Sequence, residues 1–137
     1  MRKADRVVTS AMTALAVFYA GFAAGQHAAP SGDRGVEQTL LATIDLATAI
    51  AGFPDRQMRL SRVTVAPGGH IGLHGHGDDP TVVYLVSGTL TNHHDDGRIE
   101  ELRAGQAFAE FGPKLHWVEN KSPEPATFVF TSVSRRQ

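Results

Sequence analysis

The sequence predicts a single all-β domain, a sandwich or a barrel, because short strand-like runs alternate with turn residues along most of the chain. These runs share β-branched and aromatic residues, and they cover residues 56–66, 81–86, 89–93, 99–102, 107–111, 115–118 and 126–133. Glycine, proline or aspartate follows most of them, and Asp96-Gly97 is typical of a tight hairpin. Regular spacing of short strands indicates a sandwich or a barrel, and 137 residues leave room for one such domain.

The region before residue 56 carries weaker structural signals. Residues 26–35 are rich in glycine, proline and alanine, which predicts a flexible leader. From residue 36 onwards, apolar residues lie among threonines. Residues 46–53 are rich in alanine, so a short helix is an open alternative in that segment. We therefore expect the folded domain to span residues 36–137.

The N-terminus has the layout of a secretory signal peptide. Three basic residues stand among the first six, an uncharged run follows from residue 7 to residue 24, and small residues precede Gln26. Cleavage there would remove residues 1–25, and we expect a periplasmic or secreted protein without stable membrane insertion. The alternative is an uncleaved membrane anchor, but polar residues and glycine interrupt the run, which is lean for a segment crossing about 30 Å of hydrocarbon.

Charge and cysteine content narrow the possible partners. Cleavage before Gln26 removes three basic residues and one acidic residue from the 13 and 14 of the full chain, which leaves a formal charge of −3. The sequence has no basic stripe to neutralise phosphates, so we expect no nucleic acid as a partner. The chain has no cysteine, so any metal must be held by nitrogen and oxygen ligands.

Seven histidines are a large number for this length, and their spacing indicates what they do. His74 and His76 are two residues apart, so on a strand both side chains point to the same face, about 6.5 Å apart at the backbone. Imidazole rings from such a pair can converge on one metal ion at about 2.1 Å from each nitrogen. By itself this pair is weak evidence, since many such pairs are only polar neighbours.

Further residues recur at the spacing of a two-part motif. They are Gly68, His74, His76 and Gly88 in the first part, and Gly105, His116 and Asn120 in the second. This order resembles the motifs of the cupin superfamily, G-x5-H-x-H-x(3–4)-E-x6-G and G-x5-P-x-G-x2-H-x3-N. Residues 65–69, 83–88 and 102–106 also resemble the small, quercetin-dioxygenase-like (type-2) cupins. The resemblance covers about residues 38–133 and implies a cupin (RmlC-like) jelly-roll β-barrel.

The resemblance implies a metal site within the barrel, made by His74, His76 and His116 and holding one divalent ion of Fe, Mn, Ni or Zn. The motif's glutamate, seven residues before Gly88, is Thr81 here, and a neutral hydroxyl is a poor ligand for a divalent ion. We therefore expect three histidines with water in the open positions, which leaves room for a substrate. The alternative is a barrel that keeps its histidines and has lost its metal.

Three acidic residues are further candidates for the site. Glu110 precedes the turn at residues 111–113, which replaces the Pro-x-Gly of the second motif, and is a candidate acid, base or substitute ligand. Asp78 and Asp79 lie just before Thr81, and we expect solvated loop acids there rather than ligands.

The other histidines and the aromatic residues have simpler interpretations. His70 shares the strand parity of the first histidine pair, and we expect an exposed residue at a strand start rather than a fourth ligand. His93 and His94 precede the Asp-Gly turn and are expected at the hairpin surface, while His27 belongs to the leader. The aromatic residues are expected to form the core or a cavity wall, and they are Tyr84, Phe108, Trp117, Phe128 and Phe130.

The cupin fold hosts many activities, so two functional classes stay open. The first is a metal-dependent enzyme, dioxygenase-like or isomerase-like, acting on a small organic molecule. The second is a non-catalytic cupin of the cell envelope that binds a small ligand, with or without metal. The resemblance also implies a homodimer, with residues 36–50 as the candidate segment for strand exchange.

Overall fold

The computed structural model describes residues 28–136, and this part of the chain is almost entirely β-structure. Its elements are β1 (Arg34–Asp45), α1 (Leu46–Ala49), β2 (Arg56–Ser87), β3 (Thr89–His94), β4 (Ile99–Arg103), β5 (Ala107–Glu119) and β6 (Ala126–Arg135). The predicted all-β domain is confirmed. The predicted signal peptide, residues 1–25, lies outside the described residues. Within residues 28–136, no helix has the length and apolar character to cross a bilayer.

Strand β2 organises the barrel, because its 32 residues pair with three other strands. Residues 56–65 of β2 pair with β1 and β6, residues 70–84 pair with β5, and its last residues pair with β6 again. The register with β5 shifts repeatedly between Ile71 and Thr81, and such irregularities bend a strand. Two runs that the sequence predicts as separate strands are therefore parts of one bent strand.

All strand pairs are antiparallel, and they close the sheet into a jelly-roll barrel. The strand order is β1-β2-β5-β3-β4, with β6 paired to β2. Strands β3 and β4 form the predicted hairpin, in which His94 N donates to Arg98 O at 2.9 Å. Gly97 has a φ of 85° in this turn, a backbone conformation that favours glycine.

Alternate residues of the strands fill the interior, as a period of two requires. The buried apolar core consists of Val63, Val65, Val83, Leu85, Leu90, Leu102, Val118, Ala126 and Phe128. Full burial of each large aliphatic side chain stabilises the fold by about 1.5–3 kcal/mol. Tyr84 lies between Val83 and Leu85 and is 46% exposed, so its predicted place in the core or cavity wall was wrong. Its parity in β2 puts it on the outer face.

The alanine-rich segment that the sequence left open contains the short helix α1. Asp45 caps it, since its side chain accepts a hydrogen bond from Ala47 N at 3.0 Å. Residues 36–50, the candidate segment for strand exchange, lie in β1 and α1, and β1 pairs with β2 of the same chain. The homodimer stays a prediction.

The described part of the predicted leader is bound to the barrel. Leu73 N donates to Pro30 O at 2.7 Å, and Gly72 N donates to the Asp33 carboxylate at 2.8 Å. Strand β1 begins at Arg34, two residues before the predicted start of the domain. These contacts place residues 30–33 across β2, next to the first motif histidine.

Candidate metal centre

The fold brings together the histidine trio, which we define as His74, His76 and His116. The first two lie on β2 and the third on β5, and His74 is the cross-strand partner of His116. Each ring offers one nitrogen such that these atoms all lie within 4.8 Å of one another. The spacing of the two motifs therefore correctly predicts that the three rings form one cluster.

Two rings of the trio are oriented by acceptors at Nδ1. The Nδ1 of His74 lies 2.8 Å from Gly72 O, and the Nδ1 of His116 lies 2.9 Å from Asn92 Oδ1. A carbonyl oxygen only accepts, so each Nδ1 carries the hydrogen and each Nε2 keeps its lone pair. Metal-binding histidines have this arrangement, in which the outer nitrogen donates and the inner one binds.

Thr81 orients the third ring. Its hydroxyl donates to Asp79 O at 3.1 Å, and its lone pair accepts from His76 Nδ1, also at 3.1 Å. The residue at the position of the motif's glutamate is thus buried behind the ring, on its Nδ1 side. Thr81 supports His76, and the Nε2 of His76 faces that of His116 at 3.1 Å.

Glu110, the candidate acid or base, faces the trio. It is the cross-strand partner of Thr81, and its Oε2 lies 3.0 Å from His76 Nε2. Its other oxygen lies 3.5 Å from His116 Nδ1. Burial raises the pKa of Glu110, but a hydrogen bond with His76 and the charges of the histidine rings lower it below its usual range. The carboxyl group is therefore ionised at neutral pH.

His116 is the most buried ring of the trio. Burial lowers its pKa, the Glu110 carboxylate opposes this, and the neighbouring rings lower it again, so that the pKa is about 4. The ring is neutral at pH 7, so its Nε2 lone pair is available to a cation.

Several other candidate residues lie outside the trio. Asp78 and Asp79 form ion pairs with Arg56 at 3.4 and 3.1 Å, and neither belongs to the cluster of possible ligands. The exposed position at a strand start that was predicted for His70 was wrong, since this residue is half-buried within β2 and paired with Glu119. It is outside the cluster, as expected.

The surface positions predicted for the hairpin histidines were wrong, since both rings are half-buried. His93 stacks on Trp117 with ring centroids 3.9 Å apart, and its Nε2 lies 2.7 Å from the Glu119 carboxylate. Trp117 therefore packs on a histidine beside the barrel wall instead of in the core. The centroid of the His94 ring lies 6.2 Å from that of His116, outside the cluster.

Sequence reasoning missed Asn92, which is 2% exposed and orients His116. One signal was available, because β3 alternates and Asn92 shares the inward parity of Leu90. A polar residue at an inward position needs a hydrogen-bonding partner.

The trio lies at the polar end of a cavity of about 350 Å³. Most of the wall is apolar and includes Val63, Ile71, Val83, Leu85, Leu90, Leu102, Phe108, Val118, Phe128 and Phe130. Three of these are phenylalanines that the sequence predicts in the core or the cavity wall. The volume is at the small end of the range for small-molecule pockets, and an apolar wall with a few polar groups is typical of them.

A jelly-roll barrel with a histidine cluster facing an apolar interior defines a small barrel of the cupin class. The sequence profile of the cupin domain (Cupin_2) matches residues 61–132, and the protein belongs to the cupin family. No curated protein matches the sequence significantly.

Solved structures agree on the fold. The polyketide cyclase RemF from Streptomyces resistomycificus aligns with a TM-score of 0.61 and 22% identity, over 79% of this chain and 72% of that one. KdgF from Halomonas aligns with a TM-score of 0.59 and 19% identity, over 80% and 90%. A predicted oxalate decarboxylase from Thermotoga maritima aligns with a TM-score of 0.58 and 18% identity, over 77% and 92%. At these identities the likeness shows the fold alone.

Proposed function

We propose that this cupin is a divalent-metal-dependent enzyme, dioxygenase-like or isomerase-like, that acts on a small organic molecule with an apolar body and oxygen donors. The arrangement of the trio supports this best, because three anchored rings direct their Nε2 lone pairs into the polar end of an apolar cavity. The donor set suits Fe, Mn, Ni or Zn. Such an ion, when bound, would polarise an oxygen of the molecule beside it.

The residues around the trio have separate roles in this proposal. The apolar wall holds the body of the molecule and excludes water, with Phe108 and Phe130 among its larger side chains. Glu110 is ionised and lies beside the trio, so its carboxylate places a negative charge beside any cation that the rings hold. Thr81 and Asn92 keep the rings in place.

The structural neighbours do not select the reaction. One is described as a predicted oxalate decarboxylase and another as a polyketide cyclase, so this fold carries unlike activities. The cavity limits the substrate to a molecule that fits within about 350 Å³ and presents oxygen atoms to the trio.

A second candidate function is a non-catalytic envelope protein that binds a small ligand, with or without metal. The observation that favours it is Thr81 at the position of the motif's glutamate, since its hydroxyl supports a ring and offers no negative charge. The same apolar cavity would serve reversible binding.

The two functions differ in turnover. Protein reconstituted with each candidate metal is mixed with a panel of phenolic, enolisable carbonyl and small carboxylic compounds. Oxygen consumption and product masses are measured, with thermal stabilisation in parallel and His116→Ala as the control. We expect metal-dependent turnover of at least one compound, lost in the variant. Stabilisation without turnover would favour the binding protein, and neither response would contradict both.

Export is part of the proposal and rests on the N-terminal segment alone. The full chain, expressed in a Gram-negative host, should appear in the periplasm or the medium with a mass that lacks residues 1–25. A full-length product held in the membrane fraction would favour the anchor instead.

A further inference from the structure

The position of Glu110 opposite Thr81 bears on the composition of the metal centre. In an antiparallel pair, side chains directly opposite each other have Cβ atoms about 4.5–5.5 Å apart and share one region of space. Thr81 on β2 and Glu110 on β5 are such partners. A carboxylate absent from one strand can therefore be supplied from the other.

We propose that Glu110 is the carboxylate ligand of the metal centre, supplied by β5 in place of the glutamate that β2 lacks. This inference rests on the proposed metal binding. The contact that carries it is Oε2 of Glu110 at 3.0 Å from the Nε2 of His76, the nitrogen directed towards His116. Thr81 occupies the Nδ1 side of the same ring, and Glu110 lies on its Nε2 side. Glu110 is not among the side chains whose ligand atoms all lie within 4.8 Å of one another, so it joins the three rings by a movement of its side chain when an ion binds.

The burial and partners of Glu110 agree with this role. Its side chain is 16% exposed, and within residues 28–136 its ion pairs are with His76 and His116 alone. A buried carboxylate needs compensating positive charge or hydrogen bonds. The half-exposed Asp79 has an arginine partner, Arg56, whereas the partners of Glu110 are two of the histidine rings proposed to bind the ion.

The contacts of His76 Nε2 agree with a cation at this position. This nitrogen lies 3.0 Å from Glu110 Oε2 and 3.1 Å from His116 Nε2. A carboxylate oxygen and a ring nitrogen at these distances are stabilised by a positive charge between them. A proton on His76 supplies that charge to one neighbour, whereas a divalent ion can bind all three groups.

The test measures metal binding without any substrate. Isothermal titration of metal-free protein with Mn²⁺ and with Zn²⁺ compares the wild type with Glu110→Gln, which removes the charge and keeps the size. We expect the affinity to fall about 100-fold for Mn²⁺ and about tenfold for Zn²⁺, because the harder ion depends more on carboxylate oxygen. Glu119→Gln is the matched control, since this β5 carboxylate bonds His93 outside the trio, and it should bind both ions like the wild type.

Two further variants separate direct binding from a general effect of charge or folding. Thr81→Glu combined with Glu110→Gln returns a carboxylate to the opposite strand and should restore part of the Mn²⁺ affinity, since it also removes the hydroxyl that accepts from His76 Nδ1. Glu110→Asp keeps the charge on a shorter arm and should give an intermediate affinity if Glu110→Gln fails to fold. The visible spectrum of Co²⁺-loaded protein should change in Glu110→Gln, as expected when a ligand is lost.

Different failures have different meanings. Wild-type protein that binds neither ion would overturn the proposed function itself. Wild-type binding that Glu110→Gln leaves unchanged for both ions would overturn the role of Glu110 and keep the three-histidine site. An unchanged Co²⁺ spectrum at saturation would also overturn direct ligation.

Discussion

His116 and Asn120 are buried residues four positions apart near the end of β5, and each belongs to a polar cluster. The two clusters differ in how fully their hydrogen-bonding groups are paired. The first is the histidine trio with Glu110. The second, the asparagine cluster, consists of Asn120 with Val65, Ser122 and Glu124. Asn120 Nδ2 donates to the backbone carbonyls of Val65 and Glu124 at 3.0 and 2.8 Å, and its Oδ1 accepts from the backbone and side chain of Ser122 at 2.9 and 2.7 Å.

The difference lies in what each cluster leaves unsatisfied. Both amide hydrogens and both acceptor positions of Asn120 are used within the protein, so the cluster is closed and links loop to strand. In the trio, one nitrogen of each ring is anchored and the other faces a further acceptor or the cavity. Both clusters include residues of the second motif. A closed cluster contributes to stability, and an open one can bind a ligand.

The largest effect on binding is expected from His116→Ala. Loss of one of three nitrogen ligands should lower Zn²⁺ affinity by more than about 100-fold. Metal-free protein should lose about 2–3 kcal/mol of unfolding free energy, because a buried ring is removed and the buried Asn92 loses its partner. Titration calorimetry and urea unfolding measure the two quantities, and His94→Ala, whose ring is outside the cluster, is the control. Equal affinity in both variants would show that the trio is not the site.

Asn120→Ala should have the reverse pattern. It removes four hydrogen bonds and takes the Asn120 donor from the carbonyl of the buried Val65, so unfolding free energy should fall by about 3 kcal/mol. Zn²⁺ affinity of the folded variant should stay within about twofold of wild type, because the cluster is closed. Urea unfolding followed by titration checks both, and Ser122→Ala should cost about 1 kcal/mol. A large loss of metal affinity in folded Asn120→Ala would mean that the clusters are coupled.

Thr81→Val should have a smaller effect on the open cluster. The substitution keeps the shape and removes the hydroxyl that accepts from His76 Nδ1, so the ring loses its orientation. Loss of such a supporting group typically lowers metal affinity about tenfold. Thr127→Val is the matched control, since among residues 28–136 the Thr127 hydroxyl bonds only Thr64, at 3.1 Å. If both threonine variants bind Zn²⁺ alike, the supporting role of Thr81 is wrong.

The stability of the metal-free protein should also depend on pH. The pKa of His116 is about 4 in the folded protein and about 6.5 in an unfolded chain. Between these values the unfolded state binds more protons, so unfolding free energy falls as pH falls from about 6.5 to 4, with about one proton taken up. Urea unfolding with a chelator present measures the slope. His116→Ala should flatten it, and an equal slope would assign the effect to other groups.

Much of the fold could be predicted from the sequence because strand patterns and turn residues are local. The hairpin at Asp96-Gly97 is an example. The continuity of β2 could not be predicted, since bends in a paired strand follow from its partners. The prediction for Tyr84 was wrong because it used only the residue type, and an aromatic residue is the same type on the outer face of a strand as on the inner face.

The parts of the candidate site that depend on the spacing of residues could be predicted from the sequence. The parts that depend on the direction of side chains could not. The two motifs were sufficient to bring the trio together. The support that Thr81 gives to His76 depends on which ring nitrogen faces which strand, and the cross-strand register that pairs Thr81 with Glu110 is a property of the folded sheet. The stacking of His93 on Trp117 likewise depends on the pairing of β3 with β5.

The claim that the trio is an open, metal-binding cluster is tested most directly by elemental analysis. Protein freed of metal, reconstituted with Zn²⁺ and passed through a desalting column should retain about one ion per chain. The triple variant His74→Ala, His76→Ala and His116→Ala, shown to be folded by circular dichroism, should retain none. Wild-type protein that keeps less than about a tenth of an ion per chain would contradict the account.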